Sequence, residues 1–176
     1  MPSLGHLAIG VAAGRFHAPV GRSTVAAMAL FSALSCYPDV DAVGFWLGVP
    51  YRAPFGHRGA FHSLPVAVVV AVVVAVLLGG LGRSRIRMAL TAVAVTVSHG
   101  ILDAMTSGGA GAALLWPFTT RRFFMPLRPI PVAPIGMRFV SARGLSVFLV
   151  ELLLFAPFLL YAFWPRVRAE ALARDP

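Results

Sequence analysis

The stretch His57-Arg58-Gly59-Ala60-Phe61-His62-Ser63 opens directly onto an apolar run, residues 64–81, which is rich in valine and carries no charge. A run of this length predicts a membrane-spanning helix, because about 20 apolar residues cross a hydrocarbon core of roughly 30 Å. Two histidines and an arginine therefore lie where the chain enters lipid. Ionisable groups are costly to desolvate at such a place, so a functional site is the default interpretation.

The composition agrees with a membrane protein. Of the 176 residues 59% are hydrophobic and 12% are charged, whereas soluble domains carry about 25% charged residues. The net charge of +9 comes from 15 arginines without any lysine. They are scattered between apolar runs, which favours anchoring of a membrane domain over binding of nucleic acid, so no nucleic acid partner is expected. The lone Cys36 excludes an internal disulfide and a cysteine-cluster metal site, and we expect no signal peptide, since Arg15 follows the first apolar stretch.

The pattern predicts an all-α membrane protein, a single integral membrane domain over residues 1–176. We expect about five helices, the first of them short, with a long proline-rich interfacial connection over 104–143 before the last. Arg83, Arg85 and Arg87 are expected to form a basic turn. Residues 39–62 are expected to be a loop and residues 165–176 a short basic tail. The predicted helices are 4–14, 23–36, 64–81, 88–102 and 144–164, with 64–81 as the clearest span.

Alternation of these helices places seven ionisable residues at one membrane face, opposite the basic turns. They are His6, Asp39, Asp41, His57, His62, His99 and Asp103. The helix assignment did not require this coincidence, and it predicts one shared site. The positive-inside rule places the arginine clusters in the cytoplasm and the site at the extracytoplasmic face of the inner membrane. His17, in the opposite turn, is expected to be a bystander.

The residue types suit a divalent metal. His99 and Asp103 are four apart and share one helix face, and imidazole with carboxylate favours zinc, with manganese or iron as alternatives. Seven candidate ligands exceed what one tetrahedral ion needs, which suggests two or more ions. A carboxylate not committed to metal, Asp41 or Asp39, can act as a base. Arg58 can stabilise a developing negative charge, or it can be an anchor that reaches to the membrane surface.

Each pattern also has a purely structural interpretation. Pro-Asp-x-Asp is a common turn signal, and His6 by itself fits an interfacial histidine. Arg121 and Arg122 fit anchoring at lipid headgroups. Glu151, inside the last helix, needs a partner, for which Arg143 or Arg138 is available. Ser63 and Thr106 are placed for supporting hydrogen bonds.

The ordered motifs GHLAIG, YPDVD, HRGAFHS, HGILDAMTSGG and LLWPF, over about residues 4–120, resemble the bacterial membrane-bound metal-dependent hydrolases typified by YdjM. The resemblance implies a small inner-membrane protein with metal ligands at the seven positions named above. That family looks distantly similar to zinc-dependent phospholipases C, which implies a phosphoester substrate. The chain departs from the family pattern at Gly5 and Phe61, where threonine is usual, and at Tyr37, where leucine is common.

Three functions remain open on the sequence. The first is a hydrolase in which metal-activated water attacks a phosphoester of a membrane lipid or lipid-linked substrate. The second is a metal or ion transporter, against which the clustering of polar residues at one face argues. The third is a non-catalytic membrane protein with a structural metal site or a scaffolding role. The metal-site motifs lie within residues 4–120, with Asp41 and Arg58 as the candidate catalytic residues.

Overall fold

A computed structural model describes residues 3–18, 24–79, 82–134 and 136–165. Within these residues the protein is all-α, as predicted, and contains no regular strand. Three 3-10 helices accompany the α-helices, at Tyr37–Phe45, Ala60–His62 and Gly136–Phe139. The predicted basic tail, apart from Pro165, and Arg22 in the first turn lie outside the described residues. The five α-helices are α1 (Ser3–His17), α2 (Thr24–Cys36), α3 (Leu64–Leu78), α4 (Arg83–Ala104) and α5 (Ala142–Phe163).

The order of spanning helices differs from the prediction. Helix α3 ends at Leu78, where Gly79 caps it, and its 15 residues reach roughly 22 Å at 1.5 Å per residue. That is short of a bilayer core of about 30 Å. The helices long and apolar enough to cross a membrane are instead α5 and the Ser84–Ala104 part of α4. The prediction that 64–81 is the clearest span was therefore wrong.

One predicted turn is helical, and one predicted loop is helical in part. Arg83, Arg85 and Arg87 belong to the start of α4 rather than to a basic turn, because arginine is a strong helix former. The region 39–62 begins inside the 3-10 helix Tyr37–Phe45. Pro38 starts that helix instead of only ending α2, since a proline in the first turn loses no hydrogen bond.

Small residues let the helices approach closely. A Cβ on Gly10 would lie 2.4 Å from the Cα of Ser32, and one on Gly14 would lie 2.3 Å from the Cα of Met28, so α1 and α2 touch along their backbones. Helix α3 presents a stripe of three buried alanines to α4, while its opposite face exposes valine and leucine. That exposed apolar face suits lipid. The stripe consists of Ala67, Ala71 and Ala75.

The bundle has two chemically different ends. Asp39, Asp41, Asp103 and Glu151, the four acidic residues of the described part, lie at or beside the end where α1 begins. The opposite end carries arginines, and Arg87 there donates to the Phe16 carbonyl at the end of α1. The long connection 105–141 folds back over the acidic end, where it forms two isolated β-bridges, Thr106–Ile130 and Ala112–Phe123.

Candidate metal centre

Helix α4 supplies two fully buried polar side chains of the centre, His99 and Asp103, one turn apart and both without exposed surface. The Nδ1 of His99 lies 2.6 Å from the carbonyl oxygen of Ser35, at the end of α2. A carbonyl only accepts, so Nδ1 carries the proton and Nε2 keeps its lone pair. That lone pair faces Asp39, whose Oδ1 is 3.5 Å away.

Helix α1 brings in His6, whose ring stacks on that of His99 with centroids 3.7 Å apart. Its Nε2 lies 3.7 Å from Oδ1 of Asp103, and neither ring nitrogen has a hydrogen-bond partner among the described residues. A neutral histidine nitrogen without a partner in a dry interior is costly. The Nε2 atom of His6 is therefore available to bind a metal ion that approaches from the side of Asp103.

The start of α1 is held by Glu151, which was expected to pair with an arginine. Its Oε2 accepts instead from the backbone N–H groups of Leu4, at 2.9 Å, and Gly5, at 3.3 Å. A carboxylate at a helix N-terminus satisfies N–H groups that have no partner within the helix. Gly5 is also required by space, because a Cβ there would meet the Phe155 ring at 2.5 Å. The side chain of Arg138, one of the two expected partners, lies outside the described residues; the other was Arg143.

The 3-10 helix Tyr37–Phe45 carries Asp39 and Asp41, whose carboxylates have different contacts. Asp39 Oδ1 faces histidine nitrogens, with His62 Nε2 at 3.4 Å. Asp41 is enclosed: its Oδ1 lies 2.7 Å from His57 Nδ1, and its Oδ2 lies 3.0 Å from His62 Nδ1. The backbone N–H of Arg58 also donates to Oδ2, at 3.1 Å. Both oxygens of Asp41 are therefore used within the protein.

His62 connects these segments. Its Nδ1 faces Asp41, and its Nε2 lies 3.1 Å from Oδ2 of Asp103. An imidazole that donates one N–H to a carboxylate and presents its other nitrogen to the centre is the usual arrangement of a metal-bound histidine. The side chain of His62 has no exposed surface.

Arg58 is not a membrane-surface anchor, because it is 1% exposed. Its Nε lies 3.0 Å from Oδ2 of Asp103, and its Nη1 donates to the hydroxyl of Thr106 at 2.8 Å. Its backbone has a φ of 61°, a left-handed conformation that non-glycine residues adopt at a cost. The loop adopts this strained conformation at Arg58, and the guanidinium is thereby placed next to the carboxylate of Asp103.

Six of the seven predicted residues thus come together in two overlapping groups of potential ligands, and the seventh, His6, lies beside Asp103. Five of the seven face a common centre, whereas His57 and Asp41 lie on the side of His62 that is turned away from this centre. The three carboxylates and one guanidinium leave a formal charge of −2 when the histidines are neutral, and a divalent cation would balance that charge. The donor atoms fit such an ion, because several buried ones have no hydrogen-bond partner. These atoms are His6 Nε2, Asp39 Oδ1, His62 Nε2, His99 Nε2 and Asp103 Oδ2.

The charges also shift the pKa values of the groups outside the spans. Burial disfavours the charged form of His62, but its contacts with Asp103, Asp39 and Asp41 outweigh burial and raise the pKa of His62 to about 10. Burial alone would raise the pKa of Asp39, but the adjacent rings of His62 and His99 lower it well below its ordinary value. Without metal, a proton on His62 therefore takes the place of the cation.

Several supporting residues differ from the predictions or were missed. Arg122 faces inward, not toward lipid headgroups, and donates to the carbonyls of His57 and Tyr51, each at 2.9 Å. Ser63 caps α3 by accepting from the Val66 N–H. The Ser35 carbonyl has no side-chain signature that a sequence pattern can detect. Thr106 makes a supporting hydrogen bond as expected, and His17 lies at the opposite end beside Phe31.

Comparison with known proteins agrees with a membrane location. The family model described as YdjM inner membrane protein matches residues 1–169. The chain is also similar to "Inner membrane protein YbcI" of Escherichia coli (strain K12), with 40% identity over 126 residues, which cover 68% of this chain and 70% of that protein. No solved structure matches the chain.

Proposed function

The chain belongs to the YdjM inner membrane protein family, and on that premise we propose that it is a membrane-bound, metal-dependent hydrolase. Its substrate would be a phosphoester of a membrane lipid or of a lipid-linked compound. The observation that carries the proposal is the convergence of three histidine nitrogens and two carboxylates on one buried point. The second ring nitrogens of His62 and His99 already face other groups of the protein, the Asp41 carboxylate and the Ser35 carbonyl.

The ion would be held by His6, His62, His99, Asp39 and Asp103. Three imidazoles with two carboxylates form a donor set that suits zinc, and manganese or iron also accept such ligands. When bound, the metal would supply Lewis acidity, which activates water and polarises a phosphoryl oxygen. We assign one ion to this centre, because both oxygens of Asp41 are engaged by neighbouring groups of the protein.

The remaining residues position the ligands. Nδ1 of His62 faces the Asp41 carboxylate at 3.0 Å and Nδ1 of His99 faces the Ser35 carbonyl at 2.6 Å, so each ring offers Nε2 to the centre. Arg58 keeps Asp103 in place and offsets its charge. Asp39 is the most exposed of the seven, with 16% of its side chain accessible, and it therefore suits the role of proton acceptor better than the enclosed Asp41.

The surroundings of Asp39 support a lipid substrate. Val40, next to it, is 63% exposed, and Trp46 and Leu47, just past the end of the same 3-10 helix, are 87% and 74% exposed. Exposed aromatic and aliphatic side chains of this kind lie at the membrane–water interface. An opening at Asp39 would therefore face the layer in which phospholipid phosphates lie.

The test is to compare purified wild-type protein with His99→Ala and Asp103→Ala. We expect about one transition-metal ion per chain by mass spectrometry, and hydrolysis of bis-p-nitrophenyl phosphate or of phospholipid vesicles. Both variants should lose metal and activity, whereas His17→Ala, at the opposite end, should keep both. Metal-free protein with full activity would overturn the proposal.

A structural metal site is the second candidate, favoured by the burial of the centre, since His6, His99 and Asp103 have no exposed surface. One variant distinguishes the catalytic function from the structural one. Asp39→Asn keeps an oxygen that can bind the metal, so it should retain most of the metal and the thermal stability but lose hydrolysis if Asp39 accepts a proton. Wild-type protein that binds metal, melts higher with it and hydrolyses no phosphoester would favour the structural role.

A further inference from the structure

A groove outside the metal centre lies between α1, α4 and α5 and has a volume of about 700 Å³. Its rim is exposed, with Phe16 at 60% and Leu90 at 67%, so the groove opens to the side of the bundle. None of the seven metal-site residues lines it. Its wall includes Ile9, Ala13, Phe16, Leu90, Ala94 and Tyr161.

The groove lies at membrane depth. Two of its walls are α5 and the apolar part of α4, the helices suited to crossing the bilayer. From Ile9 to Phe16 it extends roughly 10 Å along α1 at 1.5 Å per residue, a length that fits within one leaflet of a core about 30 Å thick. Water does not stably fill an apolar space, so the surrounding hydrocarbon is the medium that can occupy it.

Two arginines lie at the end of the groove remote from the metal centre. The Arg15 guanidinium lies over the ring of Tyr161 at 5.3 Å, and that of Arg87 lies over the ring of Phe16 at 5.5 Å. Both rings line the groove. Hydrogen bonds to backbone carbonyls fix the guanidiniums there, from Arg15 to Ala162 and from Arg87 to Phe16.

Within the described residues, the charge of this end is positive. All four acidic residues of the described part lie at or beside the metal centre, at the other end of the helices. An apolar groove that ends in two arginines matches a molecule with a hydrocarbon chain and an anionic head, and basic sites between membrane helices bind such lipids.

We propose that this groove binds an anionic phospholipid, with an acyl chain between α1, α4 and α5 and the phosphate at Arg15 and Arg87. The bound lipid is distinct from the substrate, because Arg87 and His99 are separated by roughly 18 Å along α4. The site does not depend on the proposed hydrolase activity.

The experiment is native mass spectrometry of detergent-purified, delipidated protein titrated with phosphatidylglycerol or with phosphatidylcholine of the same acyl chains. We expect one tightly held phosphatidylglycerol and at least tenfold weaker binding of phosphatidylcholine. Arg15→Gln with Arg87→Gln should weaken retention by about fivefold for each arginine lost. Ala94→Trp should also abolish retention, because Ala94 is an exposed part of the wall and tryptophan fills the groove.

Matched controls are available elsewhere on the chain. Arg128→Gln removes another arginine stacked on a phenylalanine, Phe124, and Val69→Trp enlarges a side chain that is 62% exposed on α3. Both should retain the lipid. Arg87→Lys should restore most of the retention lost in Arg87→Gln.

Three results would overturn the proposal. They are equal retention of the two lipids, unchanged retention in Ala94→Trp, and displacement of the lipid by glycerol 3-phosphate at similar concentration, which would indicate a site for a free phosphate. If the double arginine variant fails to fold, the exposed position Ala94 decides the question alone. Metal content should stay at the wild-type level in every folded variant, which separates this site from the metal centre.

Discussion

Asp41 holds together three segments of the site through two oxygens. It accepts from His57 and from the backbone of Arg58, and its Oδ2 lies 3.0 Å from Nδ1 of His62, so its effect on metal would come through the orientation of His62. Residues that orient a ligand in this way are worth about 10- to 100-fold in metal affinity.

Asp41→Asn should therefore weaken zinc binding by about 10- to 100-fold without unfolding the protein, because an amide has the same shape but only one acceptor oxygen. Competition with a chromophoric chelator would measure the affinity, and His17→Asn is the control at the opposite end of the bundle. His99→Ala should cost more, since it removes a ligand. Wild-type affinity in Asp41→Asn would show that His62 is oriented by other contacts.

The raised pKa of His62 makes metal binding depend on pH. Because its pKa is about 10 without metal, the metal-free centre holds one proton more than the loaded centre at neutral pH, and binding must release it. Affinity should rise with pH by about tenfold per unit between pH 6 and pH 8. Calorimetry in buffers of different ionisation enthalpy would count the proton. An affinity that does not change with pH would place no proton on His62.

At the scale of helices, the contact of α1 with α2 decides where His6 lies. Gly10 and Gly14 form a pair four residues apart, at which a Cβ would collide with the backbone of α2. Overpacking of such a contact costs about 1–3 kcal/mol or more, and the displacement would move α1 as a unit.

Gly14→Leu should therefore lower both the melting temperature in detergent and the metal content, although Gly14 lies more than two turns from His6. Ala29→Leu, on the exposed side of α2, is the matched control and should change neither. Thermal melting followed by circular dichroism measures the melting temperature, and elemental analysis of the same samples measures the metal content. An unchanged melting temperature in Gly14→Leu would mean that the helices separate without cost.

The helices were predictable because long apolar runs leave few alternatives in lipid, and their alternation brought His6, His99 and Asp103 to one end. Chain features that act through the backbone were not predictable. The length of α3 depends on where Gly79 ends it, and the 3-10 helix at Asp39 has too few residues for a periodic signal. The different roles of Asp39 and Asp41 depend on which histidine nitrogens their carboxylate oxygens contact, and a sequence does not show these contacts. The inward direction of Arg122 depends on carbonyl groups that every sequence contains.

Among the described residues, the carboxylates are confined to one end of the helices, whereas arginines lie at both ends, with Arg58 and Arg122 at the metal end. The buried carboxylates lie at one end, and Arg15, Arg85 and Arg87 lie at the other. In inner-membrane proteins arginines near the ends of helices remain in the cytoplasm, and the negative surface potential of the cytoplasmic leaflet favours the same orientation. The metal centre would then face the extracytoplasmic side, where it can reach lipids of the outer leaflet.

Cysteine labelling in intact cells tests this orientation. In a Cys36→Ser background, Trp46→Cys lies in the exposed loop at the metal end, whereas Ser84→Cys is exposed at the start of α4, at the arginine end. A membrane-impermeant maleimide added from outside the inner membrane should label Trp46→Cys and leave Ser84→Cys unlabelled until the membrane is opened. The opposite pattern would place the metal centre in the cytoplasm, and a lipid substrate would then come from the inner leaflet. Labelling of both positions before the membrane is opened would mean that α4 does not cross the bilayer.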